Sequence, residues 1–253
     1  MTLASEFIGE GRSATFVHGF TQTSQSWKAL LAQLRTPLHS QLIDAPGHGH
    51  STDGARTLEE IGRDIVETMH TGLLVGYSMG ARMCLHAALL NSEKITSLIL
   101  ISGTAGIRDD HERSQRLHND NELADRICTI GVEAFVQEWV QQPLFASLPK
   151  TDEDISDRQR NSSEGLADSL RYAGTGTQQP LWNELHRVMV PVLLIAGERD
   201  TKFVQIAQQM HDYLPHSTLC VIPDAGHSVH LERPSIVAAE IDRWLLHAGV
   251  NSH

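Results

Sequence analysis

The chain has 253 residues, three cysteines and a formal net charge of −11 with histidines neutral, a length that excludes a small disulfide-stapled module and fits one large α/β domain or a core with an inserted subdomain. Hydrophobic residues plus glycine make up about 47% of the chain, the ordinary globular range; the excess of acid, 31 Asp and Glu against 20 Lys and Arg, excludes a general nucleic-acid binder, which needs a basic face for phosphates. Cys84, Cys128 and Cys220 form no C-x-x-C pair, residues 1–11 carry no basic-then-apolar leader, and no apolar run approaches a membrane span, so the expectation is a cytoplasmic chain with reduced thiols and no membrane insertion.

The first half alternates strand and helix signals. Ala14–Val17 reads as a short buried strand ending at His18-Gly19, and Trp27, Leu30, Leu31 and Leu34 have helical spacing. Gln41–Ile43 reads as a strand that stops at Asp44-Ala45-Pro46-Gly47. Leu58, Ile61, Ile65 and Met69 fit one helical face; Leu73–Val75 is a strand, Ala81–Leu90 a helix and Ile95–Ile101 another strand. Continuous apolar strands separated by amphipathic helices indicate a mostly parallel sheet covered on both faces. From 108 to 187 the texture is polar and helical, punctuated by Pro143, Pro149, Gly165, Gly174, Gly176 and Pro180, with no convincing buried strand. Alternation resumes with Val190–Ala196, a helix around Val204–Tyr213, a strand at Leu219–Ile222 and a closing helix from about Pro234 to His247. The organisation expected is an α/β core, 1–107 and 188–253, interrupted by a helical lid at 108–187 that sits over the binding crevice at the strand ends.

The sharpest local signal is Gly76-Tyr77-Ser78-Met79-Gly80, between a buried strand and a helix. This is the context of the G-x-S-x-G elbow, in which small residues permit a tight turn and the serine projects at a helix N-terminus. A nucleophilic or basic serine needs a histidine, and the histidine an orienting carboxylate, in the chain order Ser, Asp or Glu, His. Asp200, in Gly197-Glu198-Arg199-Asp200, and His227, in Asp224-Ala225-Gly226-His227, each lie just beyond a predicted strand. Glu198 is the rival carboxylate and His230 the less favoured base. The oxyanion hole is expected to combine the Met79 N–H with that of Phe20, in the loop after the first core strand. His18 is expected to brace that loop, and the 44–51 turn to be architectural. No metal or nucleotide cofactor is indicated: there is no H-E-x-x-H, no phosphate loop with lysine and no G-x-G-x-x-G.

Together these elements resemble the α/β-hydrolase superfamily over essentially the whole chain. A second layer narrows the likeness: Arg82 one turn past the elbow, Glu112-Arg113-Ser114-Gln115-Arg116, Trp139-Val140-Gln141-Gln142-Pro143-Leu144-Phe145-Ala146-Ser147-Leu148, Arg158-Gln159-Arg160-Asn161, and Gly197-Glu198-Arg199-Asp200-Thr201-Lys202-Phe203. This combination resembles the menaquinone-pathway family of 2-succinyl-6-hydroxy-2,4-cyclohexadiene-1-carboxylate synthases. The loop Ser102-Gly103-Thr104-Ala105-Gly106-Ile107 departs from the family pattern, where relatives often have a Glu and a Pro-Gly.

The resemblance implies a lyase that eliminates pyruvate from a polycarboxylate. In it Ser78, His227 and Asp200 serve proton abstraction, and Arg82, Arg116 and Arg160 bind substrate carboxylates beside Tyr77 and Trp139. Guanidinium groups suit that task because they pair with carboxylates through charge-assisted hydrogen bonds. Arg113 and Arg158 are expected to face solvent. The alternatives are a serine esterase, thioesterase or carbon–carbon hydrolase acting on an anionic small molecule, and a non-catalytic binding protein on the same fold. The partner implied is a small polyanion, held in a locally basic pocket of an acidic protein.

Overall fold

Runs of apolar and β-branched residues favour strands when both of their faces can be buried. In the computed structural model, which describes residues 2–247, they form β1 (Ser5–Ile8), β2 (Arg12–Val17), β3 (Leu38–Ile43), β4 (Gly72–Tyr77), β5 (Ile95–Ile101), β6 (Val192–Gly197) and β7 (Ser217–Ile222). The seven lie side by side in the order β1-β3-β2-β4-β5-β6-β7. All neighbours are parallel except β1, which runs antiparallel to β3. β1 leaves no strand signal in the sequence. Its four residues alternate between exposed and half-buried, and only its backbone pairing with Ser40–Ile43 makes it a strand.

Helices cover both faces. A 3-10 turn at Ser24–Trp27 leads into α1 (Lys28–Leu31); α2 (Leu58–Thr68) and α3 (Met79–Leu89) follow, and α7 (Thr201–Tyr213), α8 (Val229–Glu232) and α9 (Pro234–His247) close the chain. Alternate strand residues feed two cores. Leu98, Leu100 and Leu194 pack with α2, α3 and α7 on one side. Ile99, Ile101 and Ile195 pack with Trp27 and α9 on the other. At the start of α2, Thr57 and Glu60 form a reciprocal capping box, a device worth about 1 kcal/mol.

Between β5 and β6 the described chain contains helices and 3-10 turns but no strand: α4 (Asp110–Trp139), α5 (Asp152–Arg158) and α6 (Ser163–Ala173), with turns at Pro143–Phe145 and Trp182–Arg187. The backbone leaves helical geometry at Gly131 inside α4. This segment has its own small core of Ala124, Ile127, Phe135, Leu166, Ala167 and Leu170. Gly165, which reads in sequence as a break, lies inside α6. A side chain there would overlap the Gly47 carbonyl, so glycine permits close docking of the insertion on the core. No described helix is long and apolar enough to cross a membrane.

Candidate active site

The parallel register brings the carboxyl ends of β4, β5 and β6 level, with Tyr77 opposite Ile101 and Ile101 opposite Ile195. Ser78 follows β4 with φ 50° and ψ −106°, a left-handed conformation uncommon outside glycine and concentrated at functional turns. Its N–H donates to the Ile101 carbonyl at 2.8 Å. The turn closes because Gly80 lies against β2: a Cβ there would overlap the Val17 carbonyl oxygen. Met79 opens α3, so the serine stands at the positive end of a helix.

His227 lies in the loop after β7 and its ring is 2% exposed. Its Nε2 is 3.0 Å from Ser78 Oγ and its Nδ1 2.7 Å from Asp200 Oδ2. Asp200 is itself fixed, because it caps α7 by accepting the Phe203 N–H at Oδ1. The imidazole packs edge-on to Phe203 with ring centroids 4.5 Å apart. The rival carboxylate does something else: Glu198 Oε2 accepts the Asp224 N–H at 3.1 Å and supports the turn before His227. His230 is fully buried between Tyr77 and Trp27, and burial pushes its pKa down to about 3, so it stays neutral.

The loop after β2 places Phe20 on the wall of the same cavity as Ser78, Met79 and His227. His18 braces it from beneath, donating from Nδ1 to the Gly19 carbonyl at 2.8 Å and accepting the Ala45 N–H at Nε2. Burial lowers the His18 pKa, in keeping with the neutral ring those two bonds require. The 44–51 turn packs behind it, where His48 bonds the Pro46 carbonyl and Thr21 N–H.

The cavity measures about 500 Å³. Tyr77 and Trp139 line it, and so do Ser102, Thr104 and Gly106 of the loop after β5. Tyr77 Oη is 2.9 Å from Ser228 Oγ, and Trp139 meets Phe20 edge-on at 5.2 Å. Its cations come from both parts of the chain. Arg82 on α3 is buried and donates to the Ala173 carbonyl of α6 at 2.9 Å. Burial, reinforced by Arg116, pushes its pKa down to about 10, which leaves it charged at neutral pH. Arg116 on α4 pairs with Asp120 at 2.7 Å.

The third position needs correction. Arg160 is absent from the described cavity wall; it points outward, 46% exposed, 3.6 Å from Asp157. Arg158 takes the interior place instead and is 1% exposed. Its Nε donates to Asp154 at 2.8 Å and its Nη1 to Thr21 Oγ1 at 2.6 Å, while Nη2 is buried without a hydrogen-bond partner among the described residues. The reason is angular. Residues two apart on a helical path point about 200° apart, so Arg158 at the end of α5 faces inward and Arg160 outward. Arg113 is partly buried against Asp110 and the Ile107 carbonyl, away from the cavity.

Residues 16–240 match the model of the alpha/beta hydrolase family. A Bacillus subtilis (strain 168) protein provisionally named 2-succinyl-6-hydroxy-2,4-cyclohexadiene-1-carboxylate synthase is 38% identical, over 96% of this chain and 93% of its own. The Serratia proteamaculans (strain 568) enzyme of that name is 31% identical over 98% of this chain and 100% of its own. The S. aureus MenH structure superposes with a TM-score of 0.89 at 31% identity, covering 98% of this chain and 99% of that one. The chain belongs to the alpha/beta hydrolase family, in the group of these synthases.

Two further supports of the His227 loop left no clear signal in the sequence. Ser102, just past β5, donates from Oγ to the His227 carbonyl at 2.8 Å. Glu232 in α8 accepts the N–H groups of Gly226 and Ser228 at 2.7 and 3.0 Å. Together they clamp the histidine loop on both sides. The available signal was a carboxylate five residues after His227, at the end of a helix too short to show periodicity.

Proposed function

We propose that this chain is a lyase that eliminates pyruvate from 2-succinyl-5-enolpyruvyl-6-hydroxy-3-cyclohexene-1-carboxylate, giving 2-succinyl-6-hydroxy-2,4-cyclohexadiene-1-carboxylate. The carrying observation is that the hydrogen-bonded Ser78–His227–Asp200 chain opens into a cavity also lined by Arg82, Arg116 and Arg158. A general esterase needs no such concentration of guanidinium groups, whereas a substrate bearing several carboxylates does.

In this reading Ser78 Oγ removes a ring proton while His227 Nε2 takes the serine's own proton. Asp200 holds the imidazole in the required tautomer and stabilises the imidazolium. The electron pair freed at ring C2 forms a C2–C3 double bond, the C3–C4 double bond shifts to C4–C5, and the C5–O bond breaks to release the enolpyruvyl oxygen. Protonation of the departing enolate at carbon gives pyruvate. The backbone N–H groups of Phe20 and Met79 stabilise negative charge gathering on the succinyl carbonyl oxygen during proton removal. No acyl-enzyme forms.

The test is pyruvate release from the enolpyruvyl substrate, followed by coupled NADH oxidation. Near-stoichiometric pyruvate from the purified protein, reduced at least about 1,000-fold in Ser78→Ala, is expected. Absence of pyruvate together with vigorous p-nitrophenyl ester turnover would refute the lyase reading.

A further inference from the structure

Thr21, next to the Phe20 oxyanion donor, has φ 67° and is completely buried. A β-branched residue is a genuine outlier in the left-handed region and persists there only when its surroundings over-determine it. The surroundings do so here through all three of its polar groups. The Thr21 carbonyl accepts Asn161 Nδ2 at 2.6 Å, its Oγ1 accepts Arg158 Nη1 at 2.6 Å, and its N–H faces His48 Nε2 at 3.4 Å.

Two of those three partners belong to the inserted segment, Arg158 at the end of α5 and Asn161 just after it. Asn161 is 5% exposed and bridges further: its Oδ1 accepts the Gly49 N–H at 2.9 Å, and Nδ2 also donates to the Arg158 carbonyl. One turn earlier, Asp157 accepts both the Thr23 hydroxyl and the Thr23 N–H. The 157–161 turn therefore grips the loop that presents Phe20.

We infer that Asn161 is a positioning residue for the oxyanion hole: it holds Thr21 left-handed and thereby sets the direction of the Phe20 N–H. The inference rests on the oxyanion role of Phe20 proposed above. The insertion thus completes the catalytic half of the site as well as supplying cations. Arg158, which reaches the cavity and Thr21 together, links carboxylate binding to the geometry of the oxyanion donor.

The experiment compares wild type with Asn161→Ala, Asn161→Asp and the double variant Asn161→Ala, Thr21→Gly. It reads kcat and KM for pyruvate release, the rate of Ser78 labelling by a fluorophosphonate, and thermal unfolding. Misplacing a catalytic donor by about 1 Å costs on the order of 100-fold, so Asn161→Ala should lower kcat and the labelling rate together by about 10- to 100-fold, with KM little changed. Asn161→Asp is isosteric and keeps the acceptor for Gly49 but not the donor to Thr21, so it should match Asn161→Ala. If the alanine variant fails to fold, the aspartate variant carries the comparison. Thr21→Gly should recover turnover in the Asn161→Ala background, because glycine enters the left-handed region unaided. Wild-type kcat in Asn161→Asp, a change confined to KM, or no recovery by Thr21→Gly would overturn the inference. A wild type that labels at Ser78 yet releases no pyruvate would refute the lyase reading instead, and the labelling rates would still decide the role of Asn161.

Discussion

The strand-end loops of the core and the inserted helical segment face each other across one cavity, and they are built differently. The core side is held by a strained turn and by short side chains that bond to backbone groups. Ser78 sits on a strained elbow, Asp200 is locked as a helix cap, and the His227 loop is clamped by Ser102 and Glu232. The insertion has a small core of its own and docks through side chains: Arg158, Asn161 and Asp157 reach the loop after β2, and Ala173 receives Arg82. Under the lyase function proposed above, the contrast teaches that proton transfer, which requires placement to a fraction of an ångström, falls to loops braced by a sheet, and recognition of a charged substrate falls largely to long side chains on helices, which tolerate variation in the scaffold beneath them.

The largest effect that sharpens this contrast lies on the core side. Asp200→Asn should lower kcat for pyruvate release by about 1,000- to 10,000-fold through loss of the correct imidazole tautomer, whereas Glu198→Gln should stay within about 10-fold, since Glu198 supports a turn. Equal losses in steady-state kinetics would show that the carboxylate role is shared. On the insertion side, Arg158→Lys should reduce kcat/KM for the polycarboxylate by about 10- to 100-fold and Arg160→Ala by less than about 3-fold. The reverse order would return the third cationic position to Arg160.

The smallest effect concerns acid stability, and it too should divide between the regions. His48 and His230, held near pKa 3 chiefly by burial, and His86, held near 4, lie on core elements. His111 and His118 on α4 are exposed. The unfolded chain binds protons on these buried histidines below about pH 6.5 while the folded one does not. Their contribution is therefore complete above that pH and falls as pH drops toward 3, by up to about 1.4 kcal/mol per pH unit per group. Thermal unfolding midpoints should decline over that window. His230→Phe should flatten the decline.

Much of the core side was legible because its signals are local. The elbow is a steric pattern within five residues, Ile95–Ile101 is strand over its whole predicted length, and the pairing of Asp200 and His227 follows from their rank after successive parallel strands. β1 escaped because a four-residue edge strand exists only through its partner. Glu232 escaped because its role is to receive two N–H groups of a loop folded back onto it. The insertion yielded its helical character and the identity of its cationic clusters, but not which member of each cluster turns inward.

By itself, the sequence determined the alternating α/β order, the elbow serine, the order of its partners and the presence of arginines suited to carboxylates. Each depends on residue type and short-range spacing. Tertiary structure alone decided that Arg158 and not Arg160 enters the cavity, that Glu198 supports a turn while Asp200 meets the histidine, and that Asn161 grips Thr21. These choices turn on which side of a short helix or loop faces the core, and a rotation of about 100° per residue settles that only once the helix has something to pack against.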